Sequence, residues 1–403
     1  MAGKIQVVNG AGELAKDKLD AFASKVGLDG WGLTYQTVAI MGPQSSGKST
    51  LLNSLFGTQF EEMDAYSGRS QTTQGIWLSR AGVEGGGRTL VMDLEGTDGR
   101  ERGEDDTAFE RQSALFAMAV ADVLLVNMWC HDVGREHGAG KPLLKTVFTV
   151  NLKLFTPRRT TLCFVLRDKT KTPTDVLETQ LKGDLERIWE GVPKPARHEG
   201  TSVHDFFDVR AVALPSYEFF EDEFKSQCRE LGARLVGAPC AGEAPLAPAG
   251  GASVPGSAFA LSASTVWESV REDKDLDLPA HRVMVATVRC GELARAQLAA
   301  LEGGEALAAL HREASSQRGA TELGRRAASL VGAALEAYGE AAALFDGEVR
   351  EAQRAELRGK AFALVRPAYN AELARARGKA LGSFKAALAK GAAGGGFAAA
   401  GGR

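Results

Sequence analysis

Short apolar runs recur along the first part of the chain, at 37–41, 75–79, 88–92, 123–129, 160–166 and 207–214, separated by stretches whose apolar residues fall at helical spacing. Strands and helices alternating in this way predict a mostly parallel sheet with helices on both faces. Such sheets bind ligands beyond the carboxyl ends of their strands, where the loops after Met41, Met92, Leu166 and Leu214 gather. The longest apolar run, 114–126, is interrupted by Asp122 and reads as a helix ending into a buried strand rather than as a membrane span.

The pattern changes at 237–256, a segment of Gly, Ala and Pro that cannot pack a core and reads as a flexible connection. Beyond it, 259–390 is rich in Ala, Leu, Glu and Arg, with Leu293, Leu298, Leu301, Leu307 and Leu310 at roughly helical spacing. Breaks near Gly303-Gly304, Gly319, Asp346-Gly347 and Pro367 divide it into several helices, and no heptad is sustained. The expected partition is a domain over 1–236, a flexible linker over 237–258, an incomplete helical bundle over 259–390 and a disordered, low-complexity tail over 391–403.

A formal charge of -3 leaves no cationic excess for a nucleic-acid surface. The cysteines, Cys130, Cys163, Cys228, Cys240 and Cys290, are odd in number and scattered without a C-x-x-C pair, which fits a reducing compartment and neither a disulfide framework nor a zinc site. The N-terminus leads into a polar segment without an apolar run and cleavage site, so secretion is not expected.

Candidate chemistry begins directly after the first of the runs above. Gly42-Pro-Gln-Ser-Ser-Gly-Lys-Ser49 has Gly42, Gly47, Lys48 and Ser49 in the register of a phosphate-binding loop, between an expected strand and an expected helix. Glycines let the loop residues Pro43, Gln44, Ser45 and Ser46 and the first-turn Thr50 come close to phosphate oxygens, with backbone N–H donors on all of them but Pro43, and the helix N-terminus adds positive potential. Lys48 would neutralise the β and γ phosphates and the Ser49 hydroxyl would ligate Mg²⁺. Gln44 and Ser45 are candidates for orienting groups in catalysis.

Downstream, an apolar strand runs into Asp93-Leu-Glu-Gly96, the D-x-x-G pattern of a γ-phosphate sensor. Asp93 would hold Mg²⁺ through water, and the Gly96 N–H would donate to the γ-phosphate. In the polar segment between, a threonine would complete the metal shell, and Thr73 is favoured over Thr72 because it lies at the strand entry. The charged run after Gly96 reads as a second switch, in which Arg100 or Arg102 are more simply solvated than catalytic. His131, Asp132 and His137 suggest a metal or acid-base site only superficially, because neighbours on one loop rarely converge. At the end of the 160–166 run stands Arg167-Asp168, where a carboxylate can accept from N1–H and the 2-amino group of guanine. The N-K-x-D form is absent, so the residues by themselves leave ATP open.

Together these motifs, with Gln71-Thr-Thr-Gln-Gly-Ile-Trp77, Asn127-Met-Trp-Cys-His-Asp132, Leu166-Arg-Asp-Lys-Thr-Lys-Thr-Pro173 and Asp273-Lys-Asp-Leu-Asp-Leu-Pro-Ala-His281, resemble the dynamin-superfamily GTPases of the atlastin kind, and within them the Root Hair Defective family, over about 30–290. The resemblance implies an α/β P-loop GTPase domain with a mostly parallel sheet flanked by helices, followed by an all-α helical bundle. It assigns Ser49, Thr73 and Asp93 to the Mg²⁺ side, Gly96 to the γ-phosphate and Arg167 and Asp168 to guanine, with Leu214 and Pro215 capping the base. Catalysis would then rest on Lys48, Thr73 and Gly96, with Ser45, preceded by Gln44, standing where atlastins carry a phosphate-loop arginine, so charge compensation must come from elsewhere.

Members of that family tether and fuse endoplasmic reticulum tubules from the cytosolic face, through GTP-dependent dimers and a C-terminal membrane anchor. The given chain has no pair of apolar spans after the helical region, so it reads either as a truncated product of a membrane protein or as a soluble, cytoplasmic paralogue. The expected activity is Mg²⁺-dependent GTP binding and hydrolysis with release of GDP. The alternative is a GTP-binding regulator that dimerises with full-length relatives without productive turnover, and no nucleic-acid partner is expected.

Overall fold

In the computed structural model of the chain, residues 3–62, 73–83, 87–96, 106–135, 140–153, 159–238, 245–246, 251–272 and 278–395 are described. The first of two units, Met1–Val285, is built on seven strands: β1 (Ile5–Val8), β2 (Gln36–Met41), β3 (Ile76–Arg80), β4 (Thr89–Leu94), β5 (Val123–Trp129), β6 (Thr160–Arg167) and β7 (Phe207–Ala213). They form one sheet in the order β1-β3-β4-β2-β5-β6-β7. β2 pairs in parallel with β4 and β5, and β5, β6 and β7 continue in parallel, while β3 runs antiparallel to both β4 and β1. The parallel core agrees with the expected α/β class. β1 was not expected, because it is only four residues long and lies in a polar neighbourhood.

The fully buried central strands β2, β4 and β6 are largely apolar on both faces because helices cover both sides of the sheet. Alternation along each strand divides the core in two. Val38 and Ile40 join Leu51, Leu52, Leu55 and Phe56 of α2 (Lys48–Phe56) and Phe224, Cys228, Leu231 and Leu235 of α7 (Glu221–Leu235). Ala39 and Met41 face the other way, onto α1 (Lys16–Val26), α3 (Asp106–Val120), α4 (Gly140–Lys153), α5 (Thr174–Glu190) and α8 (Phe259–Arg271). A one-turn helix, α6 (Val203–Phe206), leads into β7 under a Ser202 capping box.

The boundary between units falls later than the sequence suggests. Trp267 of α8 is buried, donates its indole N–H to the Gly12 carbonyl at 3.0 Å and meets Phe116 edge-on with centroids 5.5 Å apart. α8 thus belongs to the core of the first unit rather than to the bundle. The described part of the expected linker is held as well: Ala252 N–H and Gly256 N–H donate to Leu33 and Gly32 carbonyls, and Tyr35 Oη donates to the Val254 carbonyl at 2.9 Å. Its low complexity hides these main-chain bonds, which need no particular side chain.

The second unit, Ala286–Arg403, contains the later part of α9 (Leu278–Glu302), then α10 (Glu305–Ser315), α11 (Leu323–Ala341) and α12 (Gly347–Gly395). Its interior is a thin layer that includes Leu301, Leu307, Val331, Ala334, Ala361 and Val365. Helices break at Gly303-Gly304, around Gly319 and before Gly347, but α12 runs through Pro367. A proline removes one N–H and crowds the preceding turn. Here Val365 and Ala368 are buried on either side of it, and His311 Nε2 donates to the Leu364 carbonyl at 2.9 Å, one turn ahead. α12 also continues over 391–395, the first part of the segment expected as a disordered tail. Among the described residues no helix is long and apolar enough to cross a membrane.

Helices α2 and α7 meet at Gly232 of α7, where an added Cβ would collide with the Leu55 carbonyl of α2. Gly232→Ala is therefore expected to lower the unfolding free energy by about 1–3 kcal/mol in urea denaturation. Gly183→Ala in α5, where a Cβ meets nothing within 4 Å, is expected to be neutral or stabilising by up to about 1 kcal/mol. Equal behaviour of the two variants would contradict the packing described.

Candidate functional site

Parallel register assembles the site. Ile40 of β2 pairs with Asp93 of β4, and Met41 pairs with Val126 of β5, so Asp93 and Asn127 flank the chain as it leaves β2. The loop that follows is tight against the sheet: a Cβ on Gly42 would lie 2.5 Å from the Asn127 carbonyl oxygen. Ser45 and Gly47 take left-handed conformations, with φ of 57° and 74°, and turn the chain into the N-terminus of α2. The unsatisfied N–H groups of that first turn point into the loop. Asn127 Nδ2 donates to the carbonyl and hydroxyl oxygens of Ser46, both at 2.9 Å, and Ser46 Oγ donates to the Pro43 carbonyl at 2.7 Å. Asn127 therefore braces the loop from β5, a role the sequence offered no local signal for.

Lys48 is buried and donates from Nζ to the carbonyls of Gly42 and Pro43, at 3.2 and 3.0 Å. Burial lowers its pKa to about 8, against the attraction of the Asp93 and Glu95 carboxylates. Gln44 is half-buried and Ser45 exposed on the outer side of the loop. Thr50 turns its hydroxyl to Glu62 at 2.9 Å, leaving only its main chain toward the loop.

Ser49, Thr73 and Asp93 converge. Ser49 Oγ donates to Asp93 Oδ2 at 2.7 Å and lies 3.1 Å from Thr73 Oγ1, which is itself 3.4 Å from the same carboxylate oxygen. Asp93 Oδ1 is buried with no hydrogen-bond partner. Burial raises the Asp93 pKa, opposed by the Lys48 charge and by bonds from Ser49 and Thr73. A buried carboxylate with one oxygen unsatisfied, next to two hydroxyls, is an all-oxygen donor set suited to a hard divalent cation such as Mg²⁺. Thr73 thus stands beside Ser49 and Asp93, and Thr72, Arg100, Arg102 and His137 lie outside the described residues. Gly96 packs so closely that a Cβ would be 2.6 Å from the Gln44 Cα and 2.8 Å from Lys48 Nζ, so only glycine fits against the loop there.

At the end of β6 the Arg167-Asp168 pair separates. Asp168 adopts a left-handed φ of 56° and stays half-buried at the loop surface. Arg167 instead reaches back beneath the phosphate loop, with Nη1 3.4 Å from the Gly47 carbonyl and 3.5 Å from Asn127 Oδ1 and its guanidinium 4.8 Å from the Phe224 ring centroid. Burial lowers its pKa from a very high ordinary value, which leaves a cation stacked on an aromatic face. Leu214 N–H donates to the Leu166 carbonyl and Lys169 N–H to the Leu214 carbonyl, so Leu214 and Pro215 stand beside Asp168. His131 stacks on Trp129 with centroids 6.2 Å apart and lies 3.7 Å from Asp132.

The geometry thus gathers a glycine-bearing loop around Lys48, a cluster of oxygen groups on Ser49, Thr73 and Asp93, and the Asp168 carboxylate beside Leu214 and Pro215. The sequence matches two family models: the Root hair defective 3 GTP-binding protein (RHD3) GTPase domain over residues 41–279 and the Sey1 three-helix bundle domain over residues 321–401. It is 50% identical over 392 residues to Protein ROOT HAIR DEFECTIVE 3 homolog 1 of Arabidopsis thaliana, covering 96% of this chain and 48% of the relative. Against Protein ROOT HAIR DEFECTIVE 3 of Oryza sativa subsp. japonica it is 49% identical, covering 98% and 48%. Protein SEY1 of Yarrowia lipolytica is 42% identical over 310 residues, covering 73% and 33%. The chain spans about half the length, or less, of these relatives. With the first model covering more than half of its residues, the chain belongs to the Root hair defective 3 GTP-binding protein family and carries that family's GTPase domain.

Proposed function

We propose that this chain binds GTP together with Mg²⁺ and hydrolyses it to GDP and phosphate. The observation that carries the reading is the meeting of Ser49, Thr73 and the half-satisfied Asp93 carboxylate beside Lys48, where the loop leads into the N-terminal N–H groups of α2. Phosphate oxygens would be held by those N–H groups and by Lys48, which exchanges its two carbonyl partners for the β and γ phosphates. Ser49, Thr73 and Asp93 would hold Mg²⁺, which supplies neutralisation of the charge that gathers on the phosphates. The Gly96 N–H would donate to the γ-phosphate, and Gln44 or Ser45 would orient the attacking water, so catalysis is chiefly positioning and electrostatic stabilisation.

Asp168 would select guanine by accepting from N1–H and the 2-amino group, while Leu214 and Pro215 cover the base. Arg167 supports that selection from below, by tying the Asp168 loop to the phosphate loop. The resemblance to GTPases that tether and fuse endoplasmic reticulum membranes extends the reading. GTP would promote pairing of two GTPase domains, and work on the membrane would need segments that the relatives carry beyond the half matched here.

Purified chain is expected to release phosphate from GTP in a Mg²⁺-dependent manner, and Lys48→Ala to weaken nucleotide binding by about a hundredfold or more, read by calorimetry and phosphate release. Turnover of that variant equal to the unaltered chain would overturn the assignment. Asp168→Asn cannot accept from both guanine donors, so its GTP affinity is expected to fall by about a hundredfold while xanthosine triphosphate, which offers an acceptor in place of the 2-amino group, gains. Unchanged preference for GTP would remove Asp168 from base recognition.

A further inference from the structure

Glu95 stands between the cation-side Asp93 and the phosphate-side Gly96, and nothing above assigns it a task. It is buried, and it bonds the same residue twice. Its main-chain N–H donates to the Gly75 carbonyl at 2.9 Å, and its Oε2 accepts the Gly75 N–H at 2.5 Å. Gly75 cannot drift away from this arrangement. It has a left-handed φ of 76°, and a Cβ there would collide with the Val8 carbonyl of β1. Gln74 is fixed in turn, because its carbonyl accepts from Gln6 Nε2 and Trp77 Nε1, both at 3.0 Å.

The consequence lies at either end of this clasp. Two residues before Gly75 is Thr73, whose hydroxyl faces Ser49 and Asp93. One residue after Glu95 is Gly96, packed on Gln44 and Lys48. We propose that Glu95 is a positioning residue that locks the Thr73 and Gly96 segments together, so that the cation-side hydroxyl and the phosphate-side N–H respond to the γ-phosphate as one body. A carboxylate suits this task because it is a strong acceptor for a buried N–H in a turn no ladder can satisfy. β1, as the wall behind Gly75, is part of the device. The proposal rests on the GTPase reading given above.

The test compares unaltered chain, Glu95→Ala and Glu95→Gln for GTP turnover, affinity for GDP and affinity for a non-hydrolysable GTP analogue. GDP lacks the group that the clasp serves, whereas a merely structural role would weaken both nucleotides alike. Glu95→Ala is expected to lower kcat by about 10–100-fold and to lower analogue affinity relative to GDP, with GDP affinity retained. Glu95→Gln keeps an oxygen that accepts the Gly75 N–H and is expected to recover most of that loss.

Wild-type kcat in Glu95→Ala, an equal loss of GDP and analogue affinity, or a Glu95→Gln chain as slow as Glu95→Ala each overturns the proposal. Should Glu95→Ala fail to fold, Glu95→Asp replaces it: one methylene too short to reach Gly75, it is expected to be slow where Gln is fast, and equal rates overturn the clasp. Unaltered chain that binds neither nucleotide would instead sink the GTPase reading itself. If it binds both without turnover, the analogue-to-GDP ratio still decides the role of Glu95.

Discussion

A lysine and an aspartate share one buried site beneath the phosphate loop, and this placement constrains everything around it. Lys48 and Asp93 are 6% and 1% exposed. Burying an ionised group costs several kcal/mol unless partners replace water. Lys48 leans on two loop carbonyls and Asp93 on two hydroxyls, yet one carboxylate oxygen is left without a bond. The protein thus holds charge in a form that a polyphosphate and a divalent cation can complete. Loop shape, strand order and the glycines all follow from keeping these groups dry and close.

Strand register supplies the framework and backbone contact supplies the tolerance. β4 delivers Asp93 and β5 delivers Asn127 to either side of Gly42, and at Gly42, Gly75 and Gly96 the chain approaches another segment too closely for any side chain. α2 is fixed from behind by α7 at Gly232, so the helix whose N-terminus faces the loop has little room to shift. Arg167 adds a link of another kind, joining the base-side loop to Gly47 and Asn127 while resting on Phe224 of α7.

Much of this was legible in the sequence because it is written in local pattern. β2, β4, β5 and β6 are mostly apolar, and Gly42 to Ser49, Asp93 to Gly96 and Arg167-Asp168 stand at or just beyond the carboxyl ends of three of them. What escaped depends on contacts between distant segments. β1 is four residues whose pairing exists only once β3 is in place. Asn127 reads as one polar residue in a buried strand until its amide is seen on Ser46. The direction of Arg167 is a rotamer choice made by Phe224, and the assignment of α8 to the first unit is made by Trp267 against Phe109 and Phe116. Pro367 signals a break in isolation, but burial of its neighbours overrides it.

The central claim is that Lys48 and the Ser49–Thr73–Asp93 group form one Mg²⁺-GTP cradle, and a crystal structure with a non-hydrolysable GTP analogue and Mg²⁺ tests it most directly. The account predicts that Lys48 Nζ leaves the Gly42 and Pro43 carbonyls for the β and γ phosphates, with the cation among Ser49, Thr73 and Asp93. Nucleotide bound elsewhere, or Lys48 still on those carbonyls with the cation away from Asp93, would contradict it.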